Sequence, residues 1–210
     1  MKNKMSLLKK SVLLAIAILA VDQALKIWIK THMTLDESIS IIGNRAFIRF
    51  TENPGMAFGI ELEIFGNAGK LLLTLFRVIF VGILVWFTWK QIHRKANAGL
   101  ALGLSMLCAG ALGNLIDCLF YGVIFSASTY TQVAHLLPAT GGYGPFGFGK
   151  VVDMFYFPVI QTTYPSWFPF NAGERFVFFR PIFNVADAAI TCSVFYLLIF
   201  QRSFFLEKKA

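Results

Sequence analysis

A chain of 210 residues, 57% of them hydrophobic and only 14% charged, with a mean hydropathy of +0.65, is too apolar to be solvated as an ordinary globular domain. Its formal net charge of +8 is not organised as a basic stripe interleaved with aromatics, which argues against a nucleic-acid partner. What remains is an integral membrane protein.

Four stretches are apolar and long enough to cross a bilayer as helices, at 11–29, 71–89, 99–117 and 181–200, each close to the ~20 residues that a span requires. Lys2, Lys4, Lys9 and Lys10 precede the first, Lys90, Arg94 and Lys95 follow the second, and Arg202, Lys208 and Lys209 follow the fourth. Lys and Arg gather on the cytoplasmic side of membrane proteins, so both termini are expected there. The connections 30–70 and 118–180 then lie outside, carrying Trp, Tyr and Phe suited to the headgroup level. The expected architecture is an all-α membrane protein, one domain over 1–210, with four transmembrane helices, a small extracytoplasmic β element and a long second external loop. The lysine-rich start and the apolar core 12–21 also resemble a secretory signal. The helical pattern runs on past Asp22 to Trp28 without a small-residue cleavage pattern, so a retained helix is expected.

Asp22 and Lys26 stand at i, i+4 on the first helix and can pair on one face, which suits a structural ion pair at the membrane boundary. In the first connection, residues 39–42 and 46–51 flank Gly43-Asn44 with partial alternation, the pattern of a small hairpin lying on the membrane. Glu52 and Asn53 follow, and Asn53-Pro54-Gly55 forces a turn. The third span ends in Gly110-Ala111-Leu112-Gly113-Asn114-Leu115-Ile116-Asp117, where small residues permit close helix approach and Asn114 and Asp117 share a face. The second connection holds a turn-rich aromatic segment, 138–149, of the composition expected of a mobile cover.

Asp153 lies in the apolar run Val151-Val152-Asp153-Met154-Phe155, and Asp187 opens the last span behind Phe183-Asn184. An ionisable group entering a bilayer is costly and persists mainly where it does chemistry, conducts ions or has a buried partner. The two aspartates are 34 positions apart, so spacing does not show that they meet, although both belong near the external end of the bundle. Two carboxylates sharing one proton could divide the work, one as base towards water and the other polarising a carbonyl. The same residues, with Asp22, Lys26 and Asp117, also suit an ion relay or a purely structural hydrogen-bonded cluster. A relay would go with two related halves, and the sequence has no internal repeat. Cys108, Cys118 and Cys192 have no close spacing, and His32, His93 and His135 form no His-Glu-x-x-His pair, so neither metal nor cofactor is expected.

Taken in order, five motifs resemble the bacterial lipoprotein signal peptidase family, also called signal peptidase II: Asp22-Gln23-x-x-Lys26, Asn53-x-Gly55-x-Ala57-Phe58, Gly113-Asn114-x-x-Asp117, Val151-Val152-Asp153 and Phe183-Asn184-x-Ala186-Asp187. The resemblance covers nearly the whole chain. It implies an intramembrane aspartyl endopeptidase of the bacterial inner membrane, its site towards the extracytoplasmic face, that removes the signal peptide from prolipoproteins on the amino side of a diacylglyceryl-modified cysteine. It assigns the catalytic dyad to Asp153 and Asp187. It matches Asn53, Asn114 and Asn184 to positions lining the site or holding substrate, with Gly55 in the first-loop motif, and Asp22, Lys26 and Asp117 to supporting positions. It implies no metal, inhibition by globomycin, and contact with membrane lipid; one chain supplies both aspartates, so a monomer suffices.

There are two departures from the family pattern. Cys118 stands where the family usually has arginine, and Arg175 or Arg180 are the candidate replacements. In addition, 35 residues separate Asp117 from Asp153, where the family commonly has a short connection. The segment Tyr143–Phe148 is expected to close over the lipid-modified cysteine.

Overall fold

The apolar segments form the helices that their length and composition require. A computed structural model describes residues 6–54, 66–94, 97–167, 169–170, 173–178 and 181–206. Helix α1, Leu7–His32, starts where the Ser6 hydroxyl accepts the Lys9 N–H. Helices α2, Gly66–His93, and α3, Ala98–Ile116, follow; α3 runs on into a π-helical turn, Asp117–Tyr121, and a last helical turn, α4, Gly122–Ile124. Among the described residues three helical stretches, Leu7–His32, Ala68–His93 and Ala98–Ile124, are long and apolar enough to cross a membrane. On α2 the exposed Leu72, Phe76, Ile79, Phe80 and Ile83 form a face suited to acyl chains rather than water.

The fourth apolar stretch, expected at 181–200, is a helix, α5, only over Val185–Phe200, with a short α6, Arg202–Leu206, behind it. Residues 182–183 are strand and Asn184 is the helix cap, which leaves 16 residues, a rise of roughly 24 Å. Helix α3 is the hub, packed against α1, α2 and α5. A β-carbon on Gly110 would sit 2.5 Å from the Ala186 carbonyl, so α3 and α5 approach at a distance that only glycine allows there.

The expected hairpin is present as β1, Ser38–Ile42, and β2, Ala46–Asn53, but it is half of a larger sheet. Strand β3, Val151–Tyr156, pairs antiparallel with β2, and the two-residue β6, Ile182–Phe183, pairs with β3, giving the order β1-β2-β3-β6. Between them β4, Ile160–Thr163, and β5, Arg175–Phe178, make a separate two-stranded hairpin in the extended second connection, with Trp167 and Phe170 exposed in its loop. Beneath the large sheet Ile29, Met33, Phe50, Tyr121, Phe125, Val152 and Met154 form a buried core that fixes the sheet on the C-terminal end of α1 and on the turns that follow α3.

Candidate active site

The sheet register brings the two aspartates together. Phe155 lies opposite Phe183, and because the strands are antiparallel the chain leaving β6 runs back alongside β3 towards Asp153. Asn184 then caps α5: its Oδ1 accepts the Asp187 N–H at 2.8 Å, and Asp187 Oδ2 accepts the Asn184 N–H at 3.3 Å, a reciprocal capping box. The other end of the same carboxamide faces β3, where Asn184 Nδ2 donates to Asp153 Oδ1 at 2.7 Å and to the Val152 carbonyl at 3.2 Å. One fully buried asparagine therefore touches both aspartates.

Asn114 completes the ring from α3. Its Nδ2 donates to Asp187 Oδ1 at 2.7 Å, and its Oδ1 accepts from Asn184 Nδ2 at 3.1 Å and from Lys26 Nζ at 2.9 Å. Behind it lies a buried ionic cluster, with Lys26 Nζ 2.9 Å from Asp22 Oδ2 and 2.8 Å from Asp117 Oδ2. Gln23 donates to Asp22, to Asp117 and to the Gly113 carbonyl, and accepts from the Tyr121 hydroxyl at 3.1 Å. Asp22 Oδ1 accepts the Ala186 N–H at 2.8 Å, and Asp117 Oδ2 accepts the Val152 N–H at 3.3 Å, so the cluster is bonded to the start of α5 and to β3 as well as to α1 and α3. The expected Asp22–Lys26 pair is thus present, extended by Asp117 into a triad.

Asp153 is only 6% exposed, whereas Asp187 is half-buried. Burial, with the charge of Asp187 added to it, pushes the Asp153 carboxyl up to about 7. A carboxyl held near neutrality beside a second carboxylate can give a proton while its neighbour takes one.

Of the other anticipated residues, Asn53 ends β2 opposite Val151, two positions from the Thr51–Asp153 pair, at the site end of the sheet. Gly55 and Arg180 lie outside the described residues. The segment Tyr143–Phe148, expected to close over the lipid-modified cysteine, is hydrogen-bonded to the turns that follow α3. Its backbone N–H groups donate to carbonyls of the π-helical turn and of α4 and its cap, from Tyr143 to Phe125, Gly144 to Gly122 and Gly147 to Leu119, with Gly149 to Cys118 following, and Thr74 of α2 donates to the Gly147 carbonyl. A β-carbon on Gly149 would overlap the Asp117 carbonyl, so the loop lies directly on the π-helical turn.

Two charged features beside the site were not anticipated. Lys30, one turn beyond Lys26, is fully buried against Glu52 and donates to Ser128 at 2.9 Å, while Lys150 reaches Glu52 Oε2 at 3.1 Å and Phe50, Phe125 and Tyr143 surround the Lys30 ammonium. Burial would raise Glu52, but the two lysines outweigh it and hold its carboxyl below the usual range. Asp22, Lys26 and Lys30 recur every fourth residue on one helix face, a pattern visible in the sequence. At Cys118 a guanidinium is supplied by Arg77 of α2, whose Nη1 donates to Cys118 Sγ at 2.8 Å. Arg77 is the lone ionisable residue within 71–89, which is itself a signal. Among the described residues no group of three or more His, Cys, Asp or Glu converges so as to hold a metal ion.

Residues 14–203 match the family profile described as signal peptidase (SPase) II. The lipoprotein signal peptidase of Porphyromonas gingivalis is 46% identical over 187 residues, covering 89% of this chain and 80% of its own length. That of Amoebophilus asiaticus is 34% identical over 194 residues, covering 90% and 76%. A solved structure of a bacterial membrane enzyme, obtained by the in meso method at 1.9 Å resolution, superposes with a TM-score of 0.61 at 24% identity over the whole of both chains, which speaks for the fold.

Proposed function

This chain belongs to the signal peptidase II family, and from that premise we propose that it is an aspartyl endopeptidase of the bacterial inner membrane that removes signal peptides from diacylglyceryl-modified prolipoproteins, with Asp153 and Asp187 as its catalytic dyad. The observation that carries the assignment is the Asn184 carboxamide, which bonds Asp153 with its nitrogen and caps Asp187 with its oxygen. It holds the two aspartates in one fixed relation at the external end of the helices.

In the proposed reaction Asp187, which accepts hydrogen bonds at both oxygens as a carboxylate does, takes a proton from water. The water oxygen bonds to the scissile carbonyl carbon while Asp153 gives its proton to the carbonyl oxygen. When the tetrahedral gem-diol intermediate collapses, the C–N bond breaks, the amine of the lipid-modified cysteine leaves with the proton held by Asp187, one of the two hydroxyl protons returns to Asp153, and the signal peptide departs as a carboxylic acid. Asn53, at the end of β2, receives the extended peptide together with Gly55 two positions on in the sequence, and the apolar helix faces receive its acyl chains. Four spans with both termini cytoplasmic set this site towards the extracytoplasmic face, one chain is sufficient, and globomycin-type cyclic peptides would occupy the same cleft. Intact-mass analysis of a digested diacylglyceryl prolipoprotein tests the substrate. The expected products are a free signal peptide and a chain beginning at the lipid-modified cysteine, with the unmodified precursor left intact; cleavage elsewhere, or equal cleavage of the unmodified precursor, would count against the reading.

A further inference from the structure

Lys26 has a connection to the dyad that its ion pairs do not require. Asp22 and Asp117 already compensate its charge, yet its ammonium also donates to Asn114 Oδ1 at 2.9 Å. An ammonium has donors and no acceptor. The Asn114 oxygen must therefore face Lys26, and this turns the Asn114 nitrogen, with its protons, to Asp187 Oδ1 at 2.7 Å. Asn184 obeys the same polarity: the Asp187 N–H claims its oxygen, so its nitrogen is left to donate to Asn114 Oδ1, to Asp153 and to the Val152 carbonyl. Were the Asn114 carboxamide reversed, it would present its oxygen to Asp187, an arrangement satisfied only if Asp187 carried a proton. In that form Asp187 could not accept a proton from water.

We propose that Lys26 is a positioning residue for the hydrolysis: acting through Asn114, it locks the carboxamide in the orientation that donates to Asp187 and keeps that carboxylate ready for the proton of the attacking water. The inference rests on the dyad reading above. It goes further by giving a buried lysine that never touches the dyad a share in turnover, carried by one amide.

Removing Lys26 alone strands two buried carboxylates, so the test is made in an Asp22→Asn background. There the amide oxygen introduced at position 22 can still accept from the Ala186 N–H, and Lys26→Met leaves the cluster with one negative charge, as in the wild type. Four purified proteins are compared on a diacylglyceryl prolipoprotein, each shown by thermal melting to be folded: Asp22→Asn alone, and with Lys26→Met, with Asn114→Ala, or with both. With Asn114 present, Lys26→Met should lower kcat about tenfold or more and leave KM within about twofold; with Asn114→Ala already in place, it should cost less than about threefold. An equal loss in both contexts, or a loss confined to KM, overturns the proposal, since a merely structural lysine would act whether or not Asn114 is there. Asp187→Asn is assayed in parallel: an active Asp187→Asn enzyme would refute the dyad and not the coupling of Lys26 to Asn114, so the two failures are distinct.

Discussion

Replacing Asp153 by Asn should stabilise the protein, and more so as the pH rises. Folding carries this carboxyl from 3.8 to about 7, because the site is buried and Asp187 is beside it. Between those values the folded chain holds a proton that the unfolded chain has released, so wild-type stability falls as pH rises from about 4 to about 7 and stays low above that. At about 1.36 kcal/mol per pH unit the full cost approaches ~4 kcal/mol, and roughly two thirds of it falls between pH 5 and pH 8. With only 6% of Asp153 exposed, solvent screening takes little from this figure. Asn keeps an oxygen for the Asn184 donor and has no charge to bury. Melting temperatures of both proteins in one detergent across pH 5 to 9 measure the gap, which should widen in favour of Asp153→Asn by roughly 5–10 °C. A constant gap, or a wild type that gains on the variant with rising pH, would refute the reasoning that Asp153 is held protonated by burial.

Three further outcomes follow from named contacts. Asn184→Ala removes the α5 cap and the amide between the aspartates, so it should cost about 1 kcal/mol of stability and lower kcat about a hundredfold, measured by melting and cleavage on the same sample. Gly149→Ala puts a β-carbon against the Asp117 and Cys118 carbonyls and should destabilise by about 2–4 kcal/mol; an unchanged melt would mean that the loop does not lie on the π-helical turn. Cys118→Arg, which restores the residue usual in the family, would set a second guanidinium against Arg77 and should lower the melting temperature, whereas adding Arg77→Met should recover it. Equal melts for the single and double variants would show that Arg77 does not reach position 118.

The helices and the order of the site motifs were legible in the sequence because both are local: apolar length marks a span, and Asp22 with Lys26, or Asn184 with Asp187, is fixed by helix periodicity. The sheet was legible only as its first hairpin. Strands β3 and β6 are short and distant from β2 along the chain, and what pairs them is a register that no local pattern encodes. The start of the last helix was placed too early for the same reason, since Ile182 and Phe183 are apolar enough for a span yet complete the sheet edge. The aromatic segment 138–149 has the composition of a mobile loop, but its Gly149 serves close approach to the π-helical turn and its Gly142 to α4, a tertiary fact. Arg77 and Lys30 could have been flagged as ionisable residues within apolar helices, although their partners could not.

The most direct test is cleavage of a diacylglyceryl-modified prolipoprotein by purified wild type, Asp153→Asn and Asp187→Asn in the same lipid or detergent, each verified as folded by its melt. The dyad requires that wild type cuts before the modified cysteine and that both variants, though folded, fall to the uncatalysed background. Robust turnover by either folded variant would contradict it.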